Sequence, residues 1–482
     1  MRQTKQPLWN NKLTHASIFA LSIPVALFIG KLIASGRLLI LAIIIFLALI
    51  SYTLMCLRSK YWLAVVFALT VNLPVLPLGD RALYLAEVLI PIAFVVHILN
   101  ALIRKTAIFN KNGIFIWAYF FIVVAAFLSN PVGFAAIGSE SFGARFYYKV
   151  LLGLCSYLII FNQKVTHNDC KIVIRFLIFG SFVTFFNMVL PYLTNRVIVT
   201  PFDYYTWHQA MSVPTSMLIM WLVSRFKIET VLSPIRKQAW LYLTCMFFIL
   251  ISGKRAAFAT AALAPVIMAA VSRKYVYVVS IMLLGVLALS VLIAGQGRLY
   301  ELPKQAQRTL IFLPGDWDRH VIGYRNTSFR TEMRKIAWSH VLRNPLQGRW
   351  GFHMTEYDFY RIKLLPEAQN MTVAQLSAGI AWHSTWLGMM ADLGIPAAVM
   401  WAGFLIQALL LARYGFKIVL RDTHSYTLLG MFFLSLIFHI ITSYTSGDSS
   451  GPPYQFWWFY GLIVALANSS KQNEEQTIDT NE

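Results

Sequence analysis

The residues best equipped for chemistry are one histidine and a handful of cations gathered around a single polar stretch, residues 295–382. His383 stands where that stretch gives way to an apolar run, in Ala381-Trp382-His383-Ser384-Thr385-Trp386. An imidazole titrates near neutrality, so at a lipid–water boundary it can take a proton from an attacking hydroxyl. A packed or hydrogen-bonded core histidine is the plainer alternative. Lys254 and Arg255 follow Ile251-Ser252-Gly253, where two apolar runs meet with almost no connection. Two cations at one tight helical turn can hold a lipid-linked phosphate, or can simply snorkel to headgroups. Arg330 and Arg334 lie four apart in Phe329–Trp338, whose spacing predicts a helix with both on one face. A basic face there suits an anionic ligand, although a solvated helix lying on lipid explains the charge equally well. His208, in Tyr204-Tyr205-Thr206-Trp207-His208-Gln209, sits at another apolar boundary, and Arg145 stands just before a further apolar run.

Other polar groups offer less. Asp316-Trp317-Asp318 has the D-x-D form used by metal- and nucleotide-sugar-dependent transferases, but a tripeptide recurs by chance. Asp80 and Glu87 could serve a metal-using lipid-sugar transferase, yet nothing nearby completes a site. His320, His340 and His353 lack metal-ligand spacing. Cys56, Cys155, Cys170 and Cys245 lie in or beside apolar runs with no C-x-x-C pair, so neither a disulfide framework nor a metal site is expected. No metal ligand and no cofactor is assigned, and no Gly-rich phosphate loop is present.

The elements that must position these residues are membrane helices. The chain is 58% hydrophobic and 13% charged, far below the charge content of soluble domains. Its apolar runs are continuous and about 20 residues long, which predicts spanning helices rather than a barrel. About fourteen spans are expected, near 16–35, 38–57, 61–78, 83–103, 113–130, 146–161, 172–193, 209–224, 238–252, 256–271, 275–294, 383–411, 426–444 and 455–468. The first has a basic flank like a signal peptide, but its apolar part is long for one and reads as an uncleaved span. The expected division is 1–294 for about eleven spans, 295–382 for a large outer loop with short helices, 383–468 for about three spans, and 469–482 for a disordered tail.

Orientation follows from charge. The formal net charge of +21 reads as topology and headgroup contact, not nucleic acid. With the N-terminus cytoplasmic, inner segments hold 20 of the 41 basic residues and short outer loops hold 7. The long outer stretch holds 12 basic and 7 acidic residues, a balance of +5. Both termini are therefore expected in the cytoplasm.

The order of motifs resembles the O-antigen ligase and polymerase family of bacterial envelope enzymes. Its marks here are the Ser252–Ala256 hairpin, Arg330 followed by Pro345-Leu346-Gln347-Gly348, then His383-Ser384-Thr385-Trp386-Leu387, and Leu393-Gly394-Ile395-Pro396. They cover roughly residues 205–400. Two departures stand out: Ser384 where the family usually has Asn, and Gly348-Arg349-Trp350-Gly351 where it often has G-V-G.

The resemblance implies an all-α, GT-C-like fold and metal-independent glycan transfer at the periplasmic face of the bacterial inner membrane. The implied donor is an undecaprenyl-diphosphate-linked glycan, and the acceptor a glycan or lipid-linked hydroxyl. Flippase and chain-length-regulator partners come with the same resemblance. His383 would be the base, and Arg255 and Arg330 would stabilise the leaving diphosphate. Lys254, Arg334, His208 and Arg145 would bind substrate. A polymerase of O-antigen or exopolysaccharide repeats is the first expectation, because no extra soluble domain for a protein acceptor is visible. A ligase acting on lipid A–core stays open. A lipid-linked-sugar flippase is the more remote alternative, since it would call for repeated halves and ionisable groups in mid-span beyond Lys31, His97 and Arg175.

Overall fold

The computed structural model describes residues 60–71, 73–78, 81–104, 113–131, 144–193, 206–318, 321, 327–351, 364, 384–421, 423–445 and 455–479. The expected spans at 16–35 and 38–57 lie outside these residues. The described chain is all-α apart from one β-hairpin, with sixteen helices. They are α1 (Tyr61–Val71), α2 (Leu85–Arg104), α3 (Ile114–Ser129), α4 (Ala144–Ile160), α5 (His167–Leu193), α6 (Thr206–Arg225), α7 (Ile228–Leu232) and α8 (Lys237–Ile251). There follow α9 (Arg255–Val271), α10 (Tyr275–Gly295), α11 (Lys304–Leu310), α12 (Thr327–Arg343), α13 (Thr385–Leu393), α14 (Ile395–Ile418), α15 (His424–Thr445) and α16 (Gln455–Asp479). Five helices are long and apolar enough to cross a membrane by themselves, and six shorter apolar helices accompany them among the described residues. The protein is a multi-pass membrane protein.

Three segments depart from the hydropathy reading. The run expected to span 61–78 stops as helix at Val71, and Pro74–Leu78 forms strand β1, paired antiparallel with β2, Arg81–Tyr84. Pro74 and Pro77 lack the N–H a helix needs, so an apolar sequence turns into a hairpin. The expected span 383–411 is two helices, because Gly394, at φ +85°, ends α13 and Pro396 opens α14. Finally, α16 continues to Asp479, where a disordered tail was expected from 469. Residues 469–479 contain no Gly or Pro and are mostly tolerable helix formers, so nothing in them ends the helix begun in the apolar run.

Successive spans of a multi-pass chain alternate in direction, which assigns the β-hairpin, the α8–α9 turn and the long segment between α10 and α13 to one end of the bundle. This is the loop end. α6 is the hub: it packs on α5, α8, α9 and α15. α14 packs on α3, α15 and α16, and α4 on α2 and α16. α10 packs chiefly on α9 and turns its leucines and valines outward, with Val276, Leu283 and Leu284 all exposed. Lipid tails satisfy such a face.

Among helices already in lipid, apolar burial gives little drive, and close van der Waals fit must hold the bundle. Two devices supply it. Buried aromatics interlock across helices: Tyr119 of α3 meets Trp457 of α16 edge to face at 5.9 Å, and Phe404 of α14 meets Tyr460 of α16 at 5.2 Å. Glycines then admit neighbouring backbones. A Cβ on Gly180 of α5 would lie 2.2 Å from the Thr70 carbonyl oxygen of α1, so only glycine lets these backbones touch. Gly285 of α10 has nothing within 4 Å of that position. We expect Gly180→Val to destabilise the protein by about 1–3 kcal/mol through overpacking, and Gly285→Val to leave it unchanged. Thermal unfolding in detergent reads both.

Candidate functional site

The α8–α9 hairpin is built by Ser252 and Gly253. The Ser252 hydroxyl donates to the Ile249 carbonyl at 2.7 Å and accepts from the Lys254 N–H at 3.3 Å. Gly253 sits at φ +74°, a left-handed conformation that glycine adopts without steric penalty. α9 then starts with Lys254 as N-cap and Arg255 as its first residue, with no side-chain cap bond. The positive end of a helix dipole disfavours cations there by about 0.3–1 kcal/mol each. The sequence thus places two cations where acidic residues normally sit.

The opening of the long segment holds them in place. The Nε of Arg255 donates to the Arg308 carbonyl at 3.2 Å, in the last turn of α11. Thr309, fully buried, donates its hydroxyl to the Leu250 carbonyl at 2.7 Å. The Arg308 side chain lies against Gly253, adding a third cation to the hairpin. Beneath α11, Leu310, Ile311, Trp317 and Val321 form a core with Leu250, Phe258 and Ile293, so this part of the segment is fastened to the loop ends of α8, α9 and α10. Asp316-Trp317-Asp318 belongs to this fastening. Trp317 is buried and donates to the Leu313 carbonyl, Asp318 faces Lys304 at 3.6 Å, and Asp316 lies against Gly297. Among the described residues no group of three or more His, Cys, Asp or Glu is arranged to hold a metal ion.

The far end of the segment is fastened by a second joint. α12 buries Met333, Ile336, Ala337 and Val341 and packs along α13. Beyond α12, the turn Asn344–Gly351 lies against the end of α13 through four short-range links. The Arg349 N–H donates to the Ala391 carbonyl, the Gly351 N–H to the Asp392 carbonyl and the Ile395 N–H to the Pro345 carbonyl, all at 2.8 Å. The fourth is an ion pair, Arg349 Nε to Asp392 Oδ1 at 2.8 Å, with the side chains 6% and 0% exposed. Glycines allow the approach: a Cβ on Gly348 would lie 2.4 Å from the Ala391 oxygen, and one on Gly394 would lie 2.2 Å from the Leu346 oxygen. Trp350 takes φ +57°, a strained value for a bulky side chain that the surrounding bonds hold.

α13 itself is capped by Ser384, whose hydroxyl accepts from the Leu387 N–H at 3.4 Å. Serine and asparagine are about equally good N-caps. The departure at residue 384 from the family's usual asparagine therefore keeps the same physical role.

Residues 240–402, about a third of the chain, match the family model described as O-antigen ligase. Over that length the chain is similar to the O-antigen ligase family. The matched segment runs from α8 into α14, so it contains the hairpin, both joints and both helices of the joint. No curated protein matches the chain. This similarity points to a glycosyltransferase-like enzyme of the O-antigen ligase type.

Of the residues singled out from sequence, Lys254 and Arg255 are side by side in the hairpin. Arg334 stands on α12, with Arg330 one turn before it on the same helix. His208 falls in the first turn of α6 and Arg145 in the first turn of α4. The side chains of Arg330, His208 and Arg145 and the whole of His383 lie outside the described residues. α15 packs against both α9 and α13 and so links the hairpin to the helix that follows His383. Sequence reasoning missed Arg308, Arg349 and Asp392. A signal for the last existed: Asp392 is the one carboxylate between 384 and 412, and a buried carboxylate needs a partner. Asp392→Ala should cost about 3–5 kcal/mol by stranding the Arg349 charge, and Arg349→Met with Asp392→Leu should recover most of it. A double-mutant cycle on thermal unfolding in detergent measures this.

Proposed function

We propose that this protein transfers a glycan from an undecaprenyl-diphosphate carrier to a sugar hydroxyl, extending polysaccharide repeats at the periplasmic face of the bacterial inner membrane. The loop end is the periplasmic end in this reading, and both termini are cytoplasmic. The observation that carries it is the hairpin: two cations held at a helix N-terminus, one of them oriented by a backbone carbonyl from α11. That arrangement is electrostatically poor for the fold and good for an anion.

The reaction is a single displacement. The acceptor oxygen bonds to the anomeric carbon as the bond from that carbon to the phosphate oxygen breaks, inverting the centre. The electron pair leaves with the diphosphate, whose charge grows in the transition state. Fixed guanidinium groups at that point stabilise the transition state more than the ground state. Arg255 and Arg330 take that role, with Lys254 and Arg334 binding the diphosphate, and His208 and Arg145 contacting substrate. His383 accepts the acceptor's proton. A diphosphate leaves readily, so the arginines take the place of a metal.

Counting along the helices supports grouping these residues. Ser384 is nine positions before Leu393 at the end of α13, and Arg334 is nine before Arg343 at the end of α12. Two helices running side by side from a shared joint, each rising about 1.5 Å per residue, bring Arg334 level with Ser384, next in sequence to His383. The description of the matched family favours a second reading, a ligase with lipid A–core as acceptor.

Purified protein given an undecaprenyl-diphosphate glycan and acceptor should transfer glycan in the presence of a chelator. His383→Ala and Arg255→Ala should each slow transfer by about 100-fold or more, with thermal stability retained. Full activity in both variants would refute the mechanism. In a deletion strain, acceptors carrying single repeats indicate a polymerase, whereas polymer left unattached to core indicates a ligase.

A further inference from the structure

A cavity of about 510 Å³ lies inside the bundle among α1, α2, α4, α5, α6, α15 and α16, within the size range of specific ligand sites. It runs from the loop ends of α2, α4 and α16, at Glu87, Lys149 and Phe456, to the middle of α15 at Ser435. None of its lining residues belongs to the α8–α9 turn, α11, α12 or α13. α6 divides the two regions: Val213 and Met217 line the cavity, while the same helix packs on α8 and α9.

The chemistry of the wall is graded. Four serine and threonine residues line it, and each already donates its hydroxyl hydrogen within the protein. Thr70 donates to Phe67 O, Ser181 to Ile178 O, Thr184 to Gly180 O and Ser435 to the Met220 sulfur. With those hydrogens spent and Leu152, Leu177 and Phe459 between them, the interior suits an aliphatic chain. The charged lining residues, Glu87 and Lys149, both lie near the loop ends of their helices. The Glu87 carboxylate is held by the Tyr84 N–H at 2.9 Å, and the Tyr148 hydroxyl donates to the Glu87 carbonyl. One carboxylate with one ammonium balances, unlike the doubly cationic hairpin. A diphosphate gains little from such a pair, whereas sugar hydroxyls donate to the carboxylate and accept from the ammonium.

We infer that this cavity is the acceptor site: it takes the aliphatic chain of a membrane-anchored glycolipid, whose sugar hydroxyls lie at Glu87 and Lys149. The inference rests on the proposed glycan transfer, which needs a second substrate besides the diphosphate-linked donor.

The test uses the full chain in nanodiscs with two probes carrying a diazirine in the chain, a polyprenyl-linked glycan and an acylated glycolipid. Labelled peptides are mapped by mass spectrometry, and transfer is measured in the same preparation. Labelling should fall on α4, α5 and α6 at Leu152, Leu177 and Met217; the probe that labels identifies the chain type. Val213→Trp, filling the cavity, should cut labelling and raise the acceptor KM about tenfold, with the donor KM and thermal stability unchanged. Lys149→Ala should raise the acceptor KM without abolishing chain labelling, which tests the charged end separately. Labelling confined to the lipid-facing side of α10, or an acceptor KM unmoved by Val213→Trp, overturns the inference. Cavity labelling that Val213→Trp abolishes in a protein that transfers no glycan supports a glycolipid site and removes the proposed reaction instead.

Discussion

The buried pair of Arg349 and Asp392 is the constraint on which the loop end of this molecule depends. An ion pair with almost no solvent exposure is weak evidence of net stability, because desolvation offsets most of the Coulomb gain. Its value is geometric. A carboxylate sealed inside an otherwise apolar run has few tolerable arrangements, and the guanidinium that satisfies it belongs to a turn 43 residues earlier. Three backbone hydrogen bonds and the mutual approach of Gly348 and Gly394 then leave little freedom in how that turn meets α13. The two glycine motifs, far apart in sequence, are halves of one contact. Each has a positive φ that favours glycine locally, and the close approach of the other segment excludes a Cβ as well.

This joint and the α11 core fasten the long segment at both of its ends, but by different means. The α11 end uses apolar burial around Leu310 and Trp317, with hydrogen bonds to Leu250 and from Arg255. The α13 end uses charge and backbone pairing. Cations on the segment are therefore carried by elements fixed to the membrane helices: Arg308 on α11, Arg334 on α12. The unfavourable placing of Lys254 and Arg255 at the start of α9 is tolerable because α8 ends beside it, so the negative end of one helix dipole partly offsets the positive end of the other.

Hydropathy made most helices readable, since a run of about 20 apolar residues has few other fates in a membrane. It failed where local backbone chemistry outranks apolarity. Pro74 and Pro77 turn an apolar stretch into a strand, and Gly394 with Pro396 divides one apolar run into two helices. At the site, the Ser252–Arg255 hairpin was legible because two apolar runs met with no room for a loop. The helix carrying Arg330 and Arg334 was legible from its spacing, although it extends to Arg343. The Arg349–Asp392 pair was not, because a pairing across 43 positions leaves no periodic trace. Arg308 was not either: its place against Gly253 depends on how α11 folds back. The aspartates of Asp316-Trp317-Asp318 look like metal ligands in a string of letters; in the fold Asp316 lies against Gly297 and Asp318 faces Lys304.

The electrostatic difference between the two polar regions at the loop end bears on how one enzyme can keep two similar lipids apart. In the proposed reaction donor and acceptor both carry long apolar chains and sugars, so apolar contact alone discriminates poorly. The feature that separates them in that proposed reaction is the diphosphate that leaves the donor. In the proposed reaction, a region with Lys254, Arg255 and Arg308 together rewards that group, and a cavity lined by Glu87 as well as Lys149 does not. Specificity is a difference of affinities, and a carboxylate at the wrong site contributes as much to it as an arginine at the right one. With α6 standing between them, the two proposed sites would assign each lipid to its side by charge while leaving both chains in apolar surroundings.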